Sequence, residues 1–392
     1  MTKETPSSTK SDRRLNELVE DIRSWDVASE HRTGTHGDRR TSEALIERLA
    51  DVPVSTRLVE FPFERRIPED SYVEVGHQRL EGIPLFDGGE TDGTLESALV
   101  TVGQPGAIGF GYATASGGPD NLELLKHRNS DNHKALIGIA RSATPGIAML
   151  NADSFTSPFG VPTLIIDSKH EPTLLASAQS GETVSFNVNF KNEQTTATNV
   201  EVRIEGRNGS LAPLVVMTPK SSWWTSTAER CGGIAAWLAS VRELATLELE
   251  RDVIFTANTG HELGHVGLEH FLTQNPGLGR DAHAWIHLGA NFASKGSQIR
   301  MQYSNDAVRS KFVEHLTANA VKIASEIGGE TRPGGEARNI FDAGGTYVSL
   351  LGSNSLFHHP DDRMSNNVDL ETAMRTRNAV VDLVKELSGA GG

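Results

Sequence analysis

The segment Asp252–Phe271, DVIFTANTGHELGHVGLEHF, sets a run of β-branched and aromatic residues directly against His261-Glu262-Leu263-Gly264-His265. Those five residues match H-E-x-x-H, in which a zinc protease carries two histidines at i and i+4 on one helix face, with the glutamate between them as general base. Here DVIFTAN reads as a strand and only Thr259-Gly260 separates it from the motif, so His261 and Glu262 are expected in the turn after the strand's carboxyl end. In open α/β sheets that end is where ligands bind, so the residues are expected to be functional without zincin geometry. The longer metzincin pattern fails by one residue: its glycine would fall at Leu268 and its third histidine at Phe271, leaving Gly267 and His270 out of register. His265 on a helix face reads more simply as a surface or satisfied core residue, and as a site residue only if the motif is genuine.

Outward from this junction, strand and helix alternate. After residue 191 come VEVRIEG, APLVVMTP, a helix over GGIAAWLASVRELATL, RDVIFTANT, a helix after Gly260, and HAWIHLGANF, with DLETAMRTRNAVVDLVKEL as a closing helix. Ile234, Leu238, Val241 and Ala245 share one helix face and are expected to pack on a sheet. The alternation predicts an α/β fold with a doubly wound, mostly parallel sheet. Residues 13–65 supply two further helices, RRLNELVEDIRSW and TSEALIERLADV. Between them and residue 192 the texture changes to short apolar runs punctuated by Gly, Pro, Asp and Asn, which predicts a strand-rich insertion over 66–191. Residues 1–12, polar and rich in Ser and Thr, read as a disordered tail.

Composition narrows the function. A net charge of -14 without any Lys/Arg cluster interleaved with aromatics argues against nucleic acid as partner. No apolar run is long enough for a membrane helix. The amino terminus lacks a secretory signal and the single cysteine, Cys231, cannot form an internal disulfide, so the expected location is the cytoplasm. Oligomeric state is left open, a homo-oligomer included.

Three segments together resemble the co-catalytic zinc exopeptidases of metallopeptidase family 28, which includes aminopeptidases and carboxypeptidase-type relatives. HRTGTHGDRRTSEALIERL is similar to that family's amino-terminal loop and helix, DVIFTANTGHELGHVGLEHFL to its strand, Glu-Glu turn and helix, and FHHPDDRMSNNVD to its late histidine segment. Residues 66–191 resemble a protease-associated domain, which several members carry at this point. The resemblance implies a zinc-exopeptidase, phosphorylase/hydrolase-like fold and a metal centre at the carboxyl edge of the sheet. Of the family's ligands for the first of two metals, Pro219 takes the place of a histidine and Gly289 that of an aspartate, with Ser221 where a further aspartate stands. For the second metal the resemblance implies Glu229, Glu262 and His358 as ligands, and His261 in the place of the general base. One divalent ion is therefore expected, Zn²⁺ first, with Mn²⁺ or Fe²⁺ left open by ligand type.

Other residues carry paired readings. His261 serves as general base, as a fourth ligand, or as a loop histidine bonded to backbone. His287 faces the cleft or sits in the core, and His359 stands beside His358 as an additional candidate. Lys220, Trp223 and Trp224 are expected to line the space vacated by the first metal and to contact substrate, the tryptophans alternatively being core. Arg230 is expected either at the substrate or as an internal partner of Glu229 that keeps the site folded without metal. The expected function is a single-metal hydrolase cleaving an amide or peptide-like bond in a small molecule or short peptide. The alternatives are non-hydrolytic mononuclear metal chemistry, such as an iron-dependent lyase or ring cleavage, and a catalytically inactive peptidase-like binding protein.

Overall fold

The computed structural model describes residues 10–391. Of the expected tail, residues 1–9 lie outside the described residues, and the helix Lys10–Asp26 begins within its last three.

Four parallel strands form the centre of the main sheet, in spatial order Tyr347–Leu351, Ala284–Leu288, Leu214–Pro219 and Val253–Asn258. Arg300–Tyr303 joins antiparallel beyond the first, with Ser325–Gly328 parallel to it at the edge. On the other side Thr183–Ile204 pairs antiparallel with Val253–Asn258, and Ser55–Val75 pairs antiparallel with Thr183–Ile204. Every residue of the strands Leu214–Pro219, Val253–Asn258 and Ala284–Leu288 is buried, the pattern of strands covered by helices on both faces. One face is covered by the helix Thr227–Leu244, itself packed beneath Lys10–Asp26 and Leu370–Ser388. The other face is covered by Leu268 and Phe271 of the helix Val266–Gln274 and Ile340 of Ala337–Asp342, gathered around Trp285 and Tyr347. The fold is thus the α/β, mostly parallel, doubly wound arrangement that the alternation predicts.

The helix expected from Gly232 begins earlier, at Thr227, and holds both glycines in its second turn. Close packing on the sheet accounts for them. A Cβ on Gly232 would meet the Phe292 ring at 2.6 Å, and one on Gly233 would meet Thr218 Oγ1 at 2.5 Å and the Leu288 carbonyl oxygen at 2.8 Å. Glu229 and Arg230 therefore sit on the helix's first turns, aimed at the carboxyl edge of the strands. Trp237 on the same helix is fully buried edge-on against Phe255, with ring centroids 5.9 Å apart. Burial of one such side chain contributes on the order of 2–3 kcal/mol.

Between residues 66 and 191 a second group of parallel strands, Leu95–Thr101, Ile108–Thr114, Ala135–Arg141 and Thr163–Asp167, is flanked by the helices Pro119–Arg128 and Glu171–Ser180. Leu95–Thr101 pairs with Thr183–Ile204, so the two strand groups are joined through that 22-residue strand. A loop from this segment reaches the carboxyl edge of the main sheet. Its Ala152 N–H donates to the Glu262 carbonyl at 2.8 Å and its Met149 N–H to the His358 carbonyl at 3.3 Å.

Candidate functional site

The carboxyl ends of the central strands deliver Ser221, His261, Glu262 and His287 to one region. Gly260 makes the turn after Val253–Asn258 possible: it has φ +73°, and a Cβ there would lie 2.2 Å from Val266 Cγ2. His261–Leu263 then form a single 3-10 turn, and Gly264 and His265 both adopt left-handed backbone before the helix starts at Val266. His261 and His265 consequently do not share a helix, although their rings stack at 4.9 Å. The HELGH stretch has no zincin geometry.

An inner cluster is sealed inside the protein. Nη2 of Arg230 stands 2.5 Å from Glu262 Oε1 and 2.8 Å from Glu229 Oε1, and its Nε donates to the Ser221 carbonyl at 2.7 Å. Ser221 Oγ donates to Glu262 Oε2 at 2.6 Å and accepts from the His261 backbone N–H at 3.1 Å. His358, at φ 55°, places Nε2 3.4 Å from Glu229 Oε1 while Nδ1 donates to the Met149 carbonyl at 2.8 Å. Burial opposes ionisation of Glu229, but the Arg230 guanidinium and His358 outweigh it and hold the carboxyl down at about 2. The Asp362 carboxylate accepts the backbone N–H groups of Ala228 and Glu229 and so closes the helix start above this cluster.

An outer cluster borders a cavity of about 700 Å³, lined among others by Asp153, His261, His265, Asn291, Lys295, Arg300 and Arg338. His261 turns Nδ1 toward the buried Glu336 carboxyl, 3.4 Å away, which leaves Nε2 as the ring nitrogen available to the cavity. Burial raises the Glu336 carboxyl to about 8 against the pull of Arg230. Burial, then Arg230, His265 and His287, lower the His261 imidazole well below its usual value. His265 is brought to about 4 by burial and by Arg338, and its Nδ1 pairs with Asn339 Oδ1 at 2.7 Å. His287 is in the core, its Nδ1 on Ser349 Oγ at 2.8 Å.

The remaining expected residues fall elsewhere. Lys220 is fully buried and ion-paired to Asp38, so its ammonium faces the interior and no ligand-sized space. Trp223 is 5 % exposed and packs at 4.9 Å on Phe86, while Trp224 Nε1 donates to the Ile147 carbonyl at 3.1 Å; both anchor the 66–191 segment. His359 bonds the Pro145 carbonyl at 3.2 Å, facing that same segment. Of the two readings of Arg230, the structure shows the internal ion pair. Cys231 lies inside its helix with burial pushing the thiol up, an inert position. Arg338 and Asp153 line the cavity and Glu336 stands buried behind His261; none had a signal in sequence, since no motif or periodicity links PGGEAR to residues 75 positions earlier.

A divalent ion does not fit the residues as folded. Among the described residues no group of three or more His, Cys, Asp or Glu side chains is placed to hold one. The physical reason is at Arg230: one guanidinium nitrogen occupies the space between the two carboxylates.

No family model and no curated protein matches the chain. Solved structures do match it over nearly its whole length. A zinc aminopeptidase from Bacillus subtilis is 13% identical with a TM-score of 0.77, covering 96% of this chain and 95% of that one. An aminopeptidase from Aneurinibacillus sp. strain AM-1 is 13% identical with a TM-score of 0.72, covering 96% and 94%. A peptidase M28 precursor from Shewanella amazonensis SB2B is 15% identical with a TM-score of 0.71, covering 96% of each. At such identities the likeness is one of architecture, and this chain has the α/β fold of the zinc aminopeptidases.

Proposed function

We propose that the protein is a peptidase-like hydrolase of small, carboxylate-bearing amides or short peptides, acting in the cavity floored by His261. The observation that carries this reading is the His261–Glu336 pair: an imidazole with a carboxyl group behind one nitrogen and a cavity before the other is the arrangement of a general base. The aminopeptidase fold supports it, because ligands in such sheets bind at the carboxyl edge. In the reaction, a water beside Nε2 gives its proton to His261 and its oxygen to the carbonyl carbon. The same proton then passes to the departing nitrogen.

The charge of the cavity supports the substrate class. Arg338 is paired with Asp153 at 2.9 Å, whereas Lys295 and Arg300 have no acidic partner among the described residues. In a chain of net charge -14 this is a local excess of positive charge that would draw an anion. The 66–191 segment, through its 149–153 loop, forms one wall and is proposed to act as a substrate gate.

A second reading is a non-catalytic binding protein, favoured by the sealed guanidinium where an electrophile would otherwise stand. Hydrolysis of dipeptides and N-acyl amino acids, assayed with chelator present, separates the two. Turnover that survives chelator and disappears in His261→Ala supports the hydrolase; ligand binding without turnover supports the binding protein.

A further inference from the structure

The geometry points to Arg230 as a built-in cation that masks a divalent-metal site formed by Glu229, Glu262 and His358. Each of the three prospective ligands is already held as a ligand would be. His358 donates Nδ1–H to the Met149 carbonyl at 2.8 Å, which fixes the ring so that Nε2 is the nitrogen turned toward Glu229, and that Nε2 has no hydrogen-bond partner within normal geometry. Glu262 accepts Ser221 Oγ on one oxygen at 2.6 Å and turns the other toward Arg230. Glu229 contacts both His358 and Arg230 through the same oxygen, at 3.4 and 2.8 Å. Two of the three thus meet at one guanidinium nitrogen, and the third faces the same Glu229 oxygen that contacts it.

The exchange of one cation for another is nearly balanced in space. Carboxylates bind a zinc-sized ion at about 2.0–2.2 Å, so they need close in by only roughly half an ångström from their contacts with Nη2. A guanidinium leaves the two carboxylates with one uncompensated negative charge, where a divalent ion would leave none. Unlike a metal, Arg230 cannot be removed by a chelator and keeps its proton at any ordinary pH. It also offers no vacant coordination position, so the masked centre polarises nothing. Two carboxylate oxygens and one imidazole nitrogen suit Zn²⁺, Co²⁺, Mn²⁺ or Fe²⁺.

The test is cobalt(II) titration of the wild-type chain, Arg230→Ala and Arg230→Ala/His358→Ala, read by metal content after gel filtration and by visible absorption. The expected result is no stoichiometric Co²⁺ on the wild type, about one equivalent with absorption bands on Arg230→Ala, and loss of both in the double variant. If Arg230→Ala is isolated unfolded, refolding with and without Co²⁺ makes the same comparison: recovery only with the ion supports the masked site. The inference is overturned by wild-type protein that holds an ion lost on Glu262→Ala or His358→Ala. It is also overturned by a folded Arg230→Ala that binds none, or by an unfolded one that Co²⁺ does not recover.

Discussion

Nη2 of Arg230 lies 2.5 Å from Oε1 of Glu262, and neither side chain is more than 3% exposed. With Glu229 at 2.8 Å, the guanidinium lies between two buried carboxylates. Removing one member of such a set leaves charge uncompensated, whereas neutralising the whole set does not. Arg230→Met is therefore expected to lower unfolding free energy by about 3–5 kcal/mol. The triple variant Arg230→Met/Glu229→Gln/Glu262→Gln is expected to recover most of that loss. Urea unfolding of the wild type and these two variants measures both; equal losses in single and triple variants would show that packing around Arg230, not its charge, holds the centre.

Glu336 and His261 give activity a definite pH dependence. With Glu336 raised to about 8 and His261 lowered, both are neutral near pH 7, and a neutral carboxyl behind Nδ1 does little to stabilise the imidazolium that forms in the reaction. When Glu336 ionises, Nδ1–H is held by a carboxylate and Nε2 becomes the stronger base. The kcat/KM profile is expected to rise through about pH 8, and Glu336→Gln to remove that limb and lower the alkaline rate by about 100-fold, within the usual contribution of such a base. A profile in the Glu336→Gln variant that keeps the limb would assign it to another group.

Stability responds to the Glu229 and Glu336 carboxyls with opposite signs. Glu229 is held at about 2 against an ordinary 4.5, so its contribution is present above pH 4.5 and is lost as pH falls from there toward 2. Glu336 is raised from 4.5 to about 8, so the unfolded chain releases its proton first, and stability declines from pH 4.5 up to 8 at no more than about 1.4 kcal/mol per pH unit. Thermal unfolding of Glu336→Gln is expected to be flatter than wild type between pH 5 and 8, with the larger gain at pH 8. An unchanged slope would mean that Glu336 ionises normally.

The fold was more legible than the site because its signals are local. The run DVIFTAN and the glycine that follows it show a strand ending at His261, and the turn that Gly260 makes there excludes a helix carrying both HELGH histidines. Gly232 and Gly233 misled for the same reason: in sequence a glycine pair looks like a helix boundary, while here it is required by the approach of Phe292 and Thr218. The pairing of Arg230 with Glu229 is readable because they are neighbours. That Glu262 shares the same nitrogen, and that Glu336 stands behind His261, depends on strands brought together by the sheet, which one sequence does not reveal. Lys220 illustrates the converse. Its neighbours suggested a vacated ligand space, but Asp38, from the helix His36–Glu47, fills that role from 182 residues away.

Lys295 and Arg300 set the last expectation. Both border the cavity with no acidic partner among the described residues, and both are exposed, so their attraction for a substrate carboxylate acts through water and is worth about 1 kcal/mol each at close range. Reversing both charges, Lys295→Glu with Arg300→Glu, is expected to raise KM for a carboxylate-bearing substrate by roughly 1,000-fold, since each site changes by twice its own contribution. The kcat should hold, because neither residue touches His261. The amidated form of the same substrate should be nearly insensitive to the change, and added salt should narrow the gap between the two substrates in the wild type. A kcat effect, or an equal KM effect on both substrates, would place the anion's binding elsewhere in the cavity, at Arg338 or against His265.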